Sequence, residues 1–228
     1  MVAKPISRAS LSTQLYDNLR TSLMDGQYAA GQRLTISGIA EEYGTSITPV
    51  REAIFRLVSE RALDMRAATS VQVPSMDPKR LREVQKIRIE LEGLAAYRAA
   101  EVITERQLAD LKAINAKFIK AAAKDPAQAS ILNRDFHFAV LKVADMPILE
   151  GICENMWVLM GPFLRMFHDR TPVRQLSSEN HKHFDLLAAL EARNPEDSRH
   201  AMQEDIKWGE ELVRALEAEL EVEGTTAV

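Results

Sequence analysis

Leu11, Leu15, Leu19 and Leu23 stand four residues apart, one apolar stripe of an amphipathic helix running from about Ser10 to Met24. Asp25-Gly26 ends that stripe and Gly31 marks a second turn. Ile36 to Tyr43 then reads as a short helix closed by Gly44. Ser46 is positioned to cap a third helix whose Val50, Ile54 and Leu57 face inward, with Pro49 in the first turn, where a missing N–H costs little. Two short strands, Ala62–Arg66 and Ser70–Val73, follow around a turn. Three helices and a hairpin within residues 1–75 predict a winged helix-turn-helix.

The pattern breaks at Val73-Pro74-Ser75-Met76-Asp77-Pro78, a proline-flanked connector, and helical periodicity resumes after it. Helices are predicted near 77–101, 104–123, 126–144, 147–168, 173–193 and 195–221. Most of the breaks carry Asp, Asn or Thr beside a proline, as at Asp125-Pro126 and Asn194-Pro195. The expected fold is therefore mainly α. A winged helix-turn-helix over 1–75 precedes an all-α bundle of about six helices over 76–228, and the tail 221–228 is expected to fray.

Composition narrows the function. With 46% hydrophobic residues the chain has ample material for a core, which excludes intrinsic disorder. A single cysteine, Cys153, excludes a disulfide framework and a cysteine-based zinc cluster, and is expected to be an inert buried thiol. No run approaches the ~18 apolar residues of a membrane span, so a soluble cytoplasmic protein is expected. The net charge of −4 hides a split: residues 1–75 hold eight Lys/Arg against seven Asp/Glu, and the remainder 21 against 26. Only the first part is suited to meet phosphate, provided its arginines share a face.

Gly44-Thr45-Ser46-Ile47-Thr48-Pro49-Val50-Arg51-Glu52-Ala53-Ile54, with the upstream Gly31-Gln32-Arg33-Leu34, resembles the DNA-binding domain of the GntR family of bacterial transcription regulators over roughly residues 10–73. The resemblance implies a recognition helix whose first turn meets the major groove. Arg33, Ser46, Ile47, Thr48, Arg51 and Arg66 are the expected DNA contacts. Ser46 and Thr48 suit phosphate or base hydrogen bonding, and Arg51 suits the two acceptors of a guanine. The alternative for Arg51 is a surface ion pair with Glu52 or Asp17. Members of the family usually carry arginine where this chain has Ile47, which can instead contact a thymine methyl, and a glycine in the wing, where this chain has Arg66-Ala67-Ala68-Thr69-Ser70.

Residues 79–215 resemble the FCD ligand-binding domain of the FadR-type subgroup, through Ile87-Arg88-Ile89-Glu90-Leu91-Glu92, Leu132-Asn133-Arg134-Asp135-Phe136-His137 and His183 to Ala189. All five histidines lie after residue 136, and Asn133 and His137 are four apart on one helix face. Metal-binding members use an aspartate and a histidine four apart and two later histidines. The resemblance carries that set onto Asn133, His137, His183 and Asp205, with zinc or nickel as the expected metal. The alternative is a polar cavity in which Asn133 and Asp205 only hydrogen-bond the histidines. His181 is expected to point away from His183, and His168 and His200 to be surface residues. Arg88 is expected to face the cavity and pair with an effector carboxylate, the alternative being an i,i+4 pair with Glu92 on the solvated face. Trp157 and Met160 are expected to line the cavity, while Phe136, Met156, Phe163, Met166 and Phe167 are expected to be core.

These readings converge on a ligand-responsive transcription regulator, expected to be a repressor. It would bind a palindromic operator in double-stranded DNA as a homodimer and answer to a small organic acid. A metal-dependent enzyme using the His/Asp cluster is the rival, and it leaves residues 10–73 unexplained. A helical protein-interaction module is a third reading.

Overall fold

The computed structural model describes residues 11–75, 77–170 and 181–210, together with 213, 214 and 216–218. The expected beginning of a helix at 173 and the fraying tail at 221–228 lie outside the described residues, as do the side chains of Phe167 and His168.

Helix α1 (Leu11–Met24) buries Leu15, Leu19 and Leu23 as the four-residue stripe predicts. Helices α2 (Ile36–Glu42) and α3 (Ile47–Ser59) meet at a turn where Gly44 has φ +60, a left-handed conformation open to glycine without steric cost. Val50, Ala53, Ile54 and Leu57 form the inner face of α3 and are entirely buried. The hairpin is β2 (Asp64–Ala67) and β3 (Ser70–Gln72), irregular between Met65 and Ala67. A third strand, β1 (Arg33–Thr35), pairs antiparallel with β3, giving the order β1-β3-β2. Three residues are too few for an alternating pattern, so the sequence carries no periodic signal for β1.

Helices α4 (Pro78–Val102), α5 (Glu105–Ala122), α6 (Pro126–Ala144), α7 (Pro147–Arg170), α8 (Lys182–Glu191) and α9 (Pro195–Lys207) form the second unit. Their starts follow local chemistry. Asp77, Asp125 and Asn194 each accept a backbone N–H of the first turn beside a proline, and Thr104 and Gln107 form a reciprocal capping box. The final helix is shorter than expected. It stops at Lys207, the backbone turns at Trp208-Gly209, and helical backbone resumes at Glu210. The alanine-rich face of α4 (Ala95, Ala96, Ala99, Ala100) lets neighbouring helices approach closely and joins Phe136, Leu141, Leu186 and Leu190 in the main core.

The two units share a face. Trp157 and Val158 of α7 enter the core of the winged helix beside Leu19, Ile54 and Leu57. At Gly161 a Cβ would overlap the Leu23 carbonyl, so α1 and α7 touch backbone to backbone there. Arg20 donates to Glu154 and Asn155 at 2.6 Å each, and Arg134 of α6 pairs with Asp25 at the end of α1. The helix that supplies Asn133 and His137 thus also grips the winged unit.

Candidate nucleic-acid interface and metal centre

The first turn of α3 is open to solvent. Ser46, Ile47, Thr48 and Arg51 are all exposed, Ile47 at 48%. Ile47 projects from this turn beside polar neighbours, as Phe55 does further along the helix at 58% exposed. Ser46 occupies the N-cap position but its hydroxyl makes no capping bond, contrary to the expected cap. Among the described residues Arg51 forms no ion pair, neither with Glu52 nor with Asp17. Arg66 lies on the hairpin, held by Gln72 (2.6 Å) and near Asp64 (3.8 Å). Arg33 leaves exposed β1 and donates to the Ser70 hydroxyl at 3.0 Å.

In the helical unit, α4, α6, α8 and α9 bring their polar residues to one interior point. His137 of α6 sits between two carboxylates. Its Nδ1 lies 2.7 Å from Glu92 Oε2 and its Nε2 lies 3.0 Å from Asp205 Oδ2. His183 of α8 presents Nε2 to Asp205 Oδ1 at 3.7 Å, while its Nδ1 meets Asn115 Oδ1 at 3.1 Å. Phe136 stacks on the His183 ring at 4.0 Å between centroids. Glu92 is fully buried and accepts from Arg88 Nε (2.6 Å) and Trp157 Nε1 (3.1 Å) through its other oxygen. The Arg88 guanidinium lies over the Trp157 ring at 4.1 Å, a cation–π contact.

These surroundings set the charges. Burial alone would raise Glu92, but Arg88 and His137 outweigh it and hold the carboxyl down at about 2. Burial likewise acts to raise Asp205, and the histidines around it carry it well below the usual carboxylate range. His137 is pushed down by burial and more strongly up by its bonds to Asp205 and Glu92, so it rises. His181 falls, because burial dominates.

One donor atom each from His137, His183 and Asp205 lies within 4.8 Å of the others, all in the interior. His137 Nε2 lies 3.0 Å from one Asp205 oxygen and His183 Nε2 lies 3.7 Å from the other, so both imidazoles face the same carboxylate. Two imidazoles and a carboxylate are a donor set for a borderline divalent ion. The group fits and could hold a metal. Asn133 lines the same cavity as His137 and Asp205. Free volume there is about 40 Å³, enough for about three waters.

Several expectations change here. Arg88 does pair with Glu92, but the pair is buried (3% and 0% exposed) and not solvated, and Arg88 lines the cavity as well. His181 does not point away. It is buried, lines the cavity, and its ring centroid lies 4.3 Å from that of His183. The reason is local: His181 is the N-cap of α8, with extended φ −63 and ψ 135, so helical spacing does not govern its direction. Met160 and Phe163 line the cavity, whereas Trp157 stands behind the wall, on Glu92. Glu92, Asn115 and Gln85 carried no sequence signal of their own as site residues. His200 is exposed, and Cys153 is buried with its thiol pushed up to about 12 by burial.

A winged helix-turn-helix with an open recognition turn, joined to a helical bundle with a buried polar cavity, is the architecture of a DNA-binding regulator. The family profile "Bacterial regulatory proteins, gntR family" matches residues 11–73 and the profile "FCD domain" matches residues 83–207. The chain belongs to the GntR family of bacterial transcription regulators, in the FadR-type subgroup. It is 37% identical over 200 residues to the HTH-type transcriptional regulator McbR of Escherichia coli, spanning 87% of this chain and 90% of that protein. The gluconate operon transcriptional repressor of Bacillus subtilis is 27% identical across 71% of this chain and 67% of its own length. The repressor RspR of Escherichia coli is 25% identical across 92% and 91%. The solved structure of Escherichia coli McbR/YncC superposes with a TM-score of 0.85 at 35% identity, covering 92% of this chain and 99% of that one. These relatives are transcription regulators, not enzymes. No helix among the described residues is long and apolar enough to cross a membrane.

Proposed function

We propose that the chain is a repressor that reads a palindromic operator as a homodimer in the bacterial cytoplasm. Residues 1–75 form its DNA-reading unit and residues 76–228 its sensing and pairing unit. A divalent metal, zinc or nickel, and a small organic acid in the helical cavity set its affinity for DNA. The observation that carries the reading is the exposed first turn of α3, where Ser46, Ile47, Thr48 and Arg51 stand on one surface with no folding partner to account for them. Arg33 and Arg66 flank it as contacts from the sheet.

On the sensing side, His137, His183 and Asp205 hold the cation, with Asn133 as a weak fourth donor. Arg88, whose terminal amines are not used by Glu92, meets the acid's carboxylate beside Asn133 and Met160, with Trp157 backing the arginine. The small free volume means that an acid must widen the cavity to enter. One wall of that cavity is α7 (Met160, Phe163, Leu164), the helix on which the winged unit is seated. Differential affinity for the narrow and widened states is what couples ligand to DNA, typically by ~1–3 kcal/mol.

The test has two arms. Fluorescence anisotropy on duplexes selected from a random pool should show two chains per palindrome and affinity that falls as salt rises. Deleting residues 1–75 should abolish it, and binding by single chains would overturn the dimeric reading. For the cavity, titration calorimetry with zinc and nickel precedes a thermal-shift screen of organic acids, in which a ligand at 100 times its Kd stabilises by ~2.7 kcal/mol. Equal metal affinity in wild type and His183→Ala would overturn the metal reading.

A further inference from the structure

Glu92 is an unusual carboxylate to find at the centre of a protein: 0% exposed and held by three partners from three different helices. Arg88 of α4 and Trp157 of α7 both donate to Oε1, and Oε2 is left to His137 Nδ1 of α6. Each donor is itself constrained. Arg88 lies over the indole it shares the carboxylate with, and Trp157 is packed in the winged-helix core. The carboxylate therefore cannot rotate towards the cation position without breaking at least one short bond in a low-dielectric interior.

We propose, resting on the metal reading above, that Glu92 is the positioning residue of the cation site. It accepts Nδ1–H of His137 and so fixes which ring nitrogen, Nε2, faces Asp205 and His183. An imidazole has two nitrogens of nearly equal basicity, and which one ligates is decided by the bond the other makes. Here Glu92 holds Nδ1 at 2.7 Å and so leaves Nε2 as the nitrogen turned to Asp205 and His183. Glu92 also supplies negative charge immediately behind the ligand, which raises the basicity of Nε2, while Arg88 keeps the carboxylate from becoming a competing ligand. The outer partners of metal-bound histidines typically carry 10–100-fold in affinity. With only two imidazoles in the set, this site depends on each of them more than a three-histidine site does. Asn115 performs the matching, weaker service for His183 through an amide oxygen.

Glu92→Gln tests this in the full-length protein. An amide can offer its oxygen to His137 or to the Arg88–Trp157 pair, and then turns N–H groups on the other donors. Zinc titration calorimetry should show affinity falling 10–100-fold. The ¹⁵N-imidazole spectrum of the zinc-loaded wild type should show His137 protonated at Nδ1 and ligated at Nε2, and the variant should lose that single pattern. A cavity defect alone would lower thermal stability without changing which nitrogen is ligated. Should Glu92→Gln fail to unfold cooperatively, Trp157→Phe, which removes one donor and keeps a ring, should weaken zinc severalfold and move the His137 Nδ1 resonance. Unchanged zinc affinity in both variants, or ligation through Nδ1 in wild type, overturns the positioning role and leaves the metal site standing. No zinc or nickel binding by wild type overturns both.

Discussion

The indole N–H of Trp157 donates to Glu92 Oε1 at 3.1 Å, and the same tryptophan is 1% exposed in the core of the DNA-reading unit. One side chain therefore answers to both units. Trp157→Phe should lose the bond to an ionised, buried acceptor and cost about 1–3 kcal/mol, apart from the smaller ring's packing loss. Urea unfolding of Trp157→Phe, Glu92→Gln and the double variant separates the two. If the bond matters, the double variant costs less than the sum of the singles. Simple additivity would show that Trp157 is not coupled to the charge of Glu92.

Glu92 also predicts an acid limb in stability. Its folded value of about 2 lies below the ordinary 4.5, so the folded state binds this proton less tightly than the unfolded chain does. The contribution is fully present above pH 4.5 and is lost as the pH falls through 2. It is on the order of a few kcal/mol, since each unit is worth about 1.4. Denaturant unfolding between about pH 6 and pH 2 should show a shallower acid loss in Glu92→Gln than in wild type. Parallel curves would mean that another carboxylate, with Asp205 the first to examine, carries the limb.

Much of the fold is legible in the sequence. The helix starts at Asp77, Thr104, Asp125 and Asn194 are local chemistry, written in a few adjacent residues, and the structure places caps at all four. The stripe Leu15, Leu19, Leu23 and the inner face of α3 follow from periodicity alone. What spacing cannot supply is the partner of a charge. Spacing offers Glu92 only as the alternative half of a solvated i,i+4 pair with Arg88, because it records the neighbour and not the medium. Its burial comes from Trp157 and His137, 65 and 45 residues away. His181 departs from its expected direction for a different reason, since a residue one step outside a helix is not bound by helical geometry. Asn115 faces His183 across 68 residues and leaves no local trace at all.

At Gly161 the backbones of α1 and α7 leave no room for a side chain between them. A Cβ there would overlap the Leu23 carbonyl and lie 2.9 Å from Met24 Cα, atoms that cannot swing aside as a side-chain tip can. Gly161→Ala should therefore force the helices apart and destabilise by about 1–3 kcal/mol. Gly151, on the same helix with nothing within 4 Å of its Cβ position, is the control: Gly151→Ala should be stabilising by about 0.5–1 kcal/mol through helix propensity. Because α7 also walls the cavity through Met160 and Phe163, Gly161→Ala should in addition change how strongly zinc alters operator affinity, measured as the ratio of the two dissociation constants. An unchanged ratio would place the coupling elsewhere, with the Arg134–Asp25 pair the next to cut.

Arg51 and Arg66 offer a contrast that distinguishes reading from holding. Arg51 rises from the exposed first turn of α3 and, among the described residues, has no ion-pair partner, so its guanidinium is free to pair with a base. Arg66 is already tied to Gln72 and lies near Asp64 on the hairpin, an arrangement suited to laying charge along a phosphate backbone. Arg51→Ala should cost about 1–3 kcal/mol on the best duplex and flatten the preference at one base pair per half-site. Arg66→Ala should weaken all duplexes alike and reduce the slope of log affinity against log salt by about 1 for each phosphate left without its cation. Anisotropy titrations of both variants on the selected duplex and its single-base substitutions, at low, intermediate and high salt, read both effects. If Arg51→Ala lowers every duplex equally and cuts the salt slope, the arginine holds a phosphate. Base selection by α3 would then fall to Thr48 and to Ile47, whose exposed side chain has a thymine methyl as its natural partner.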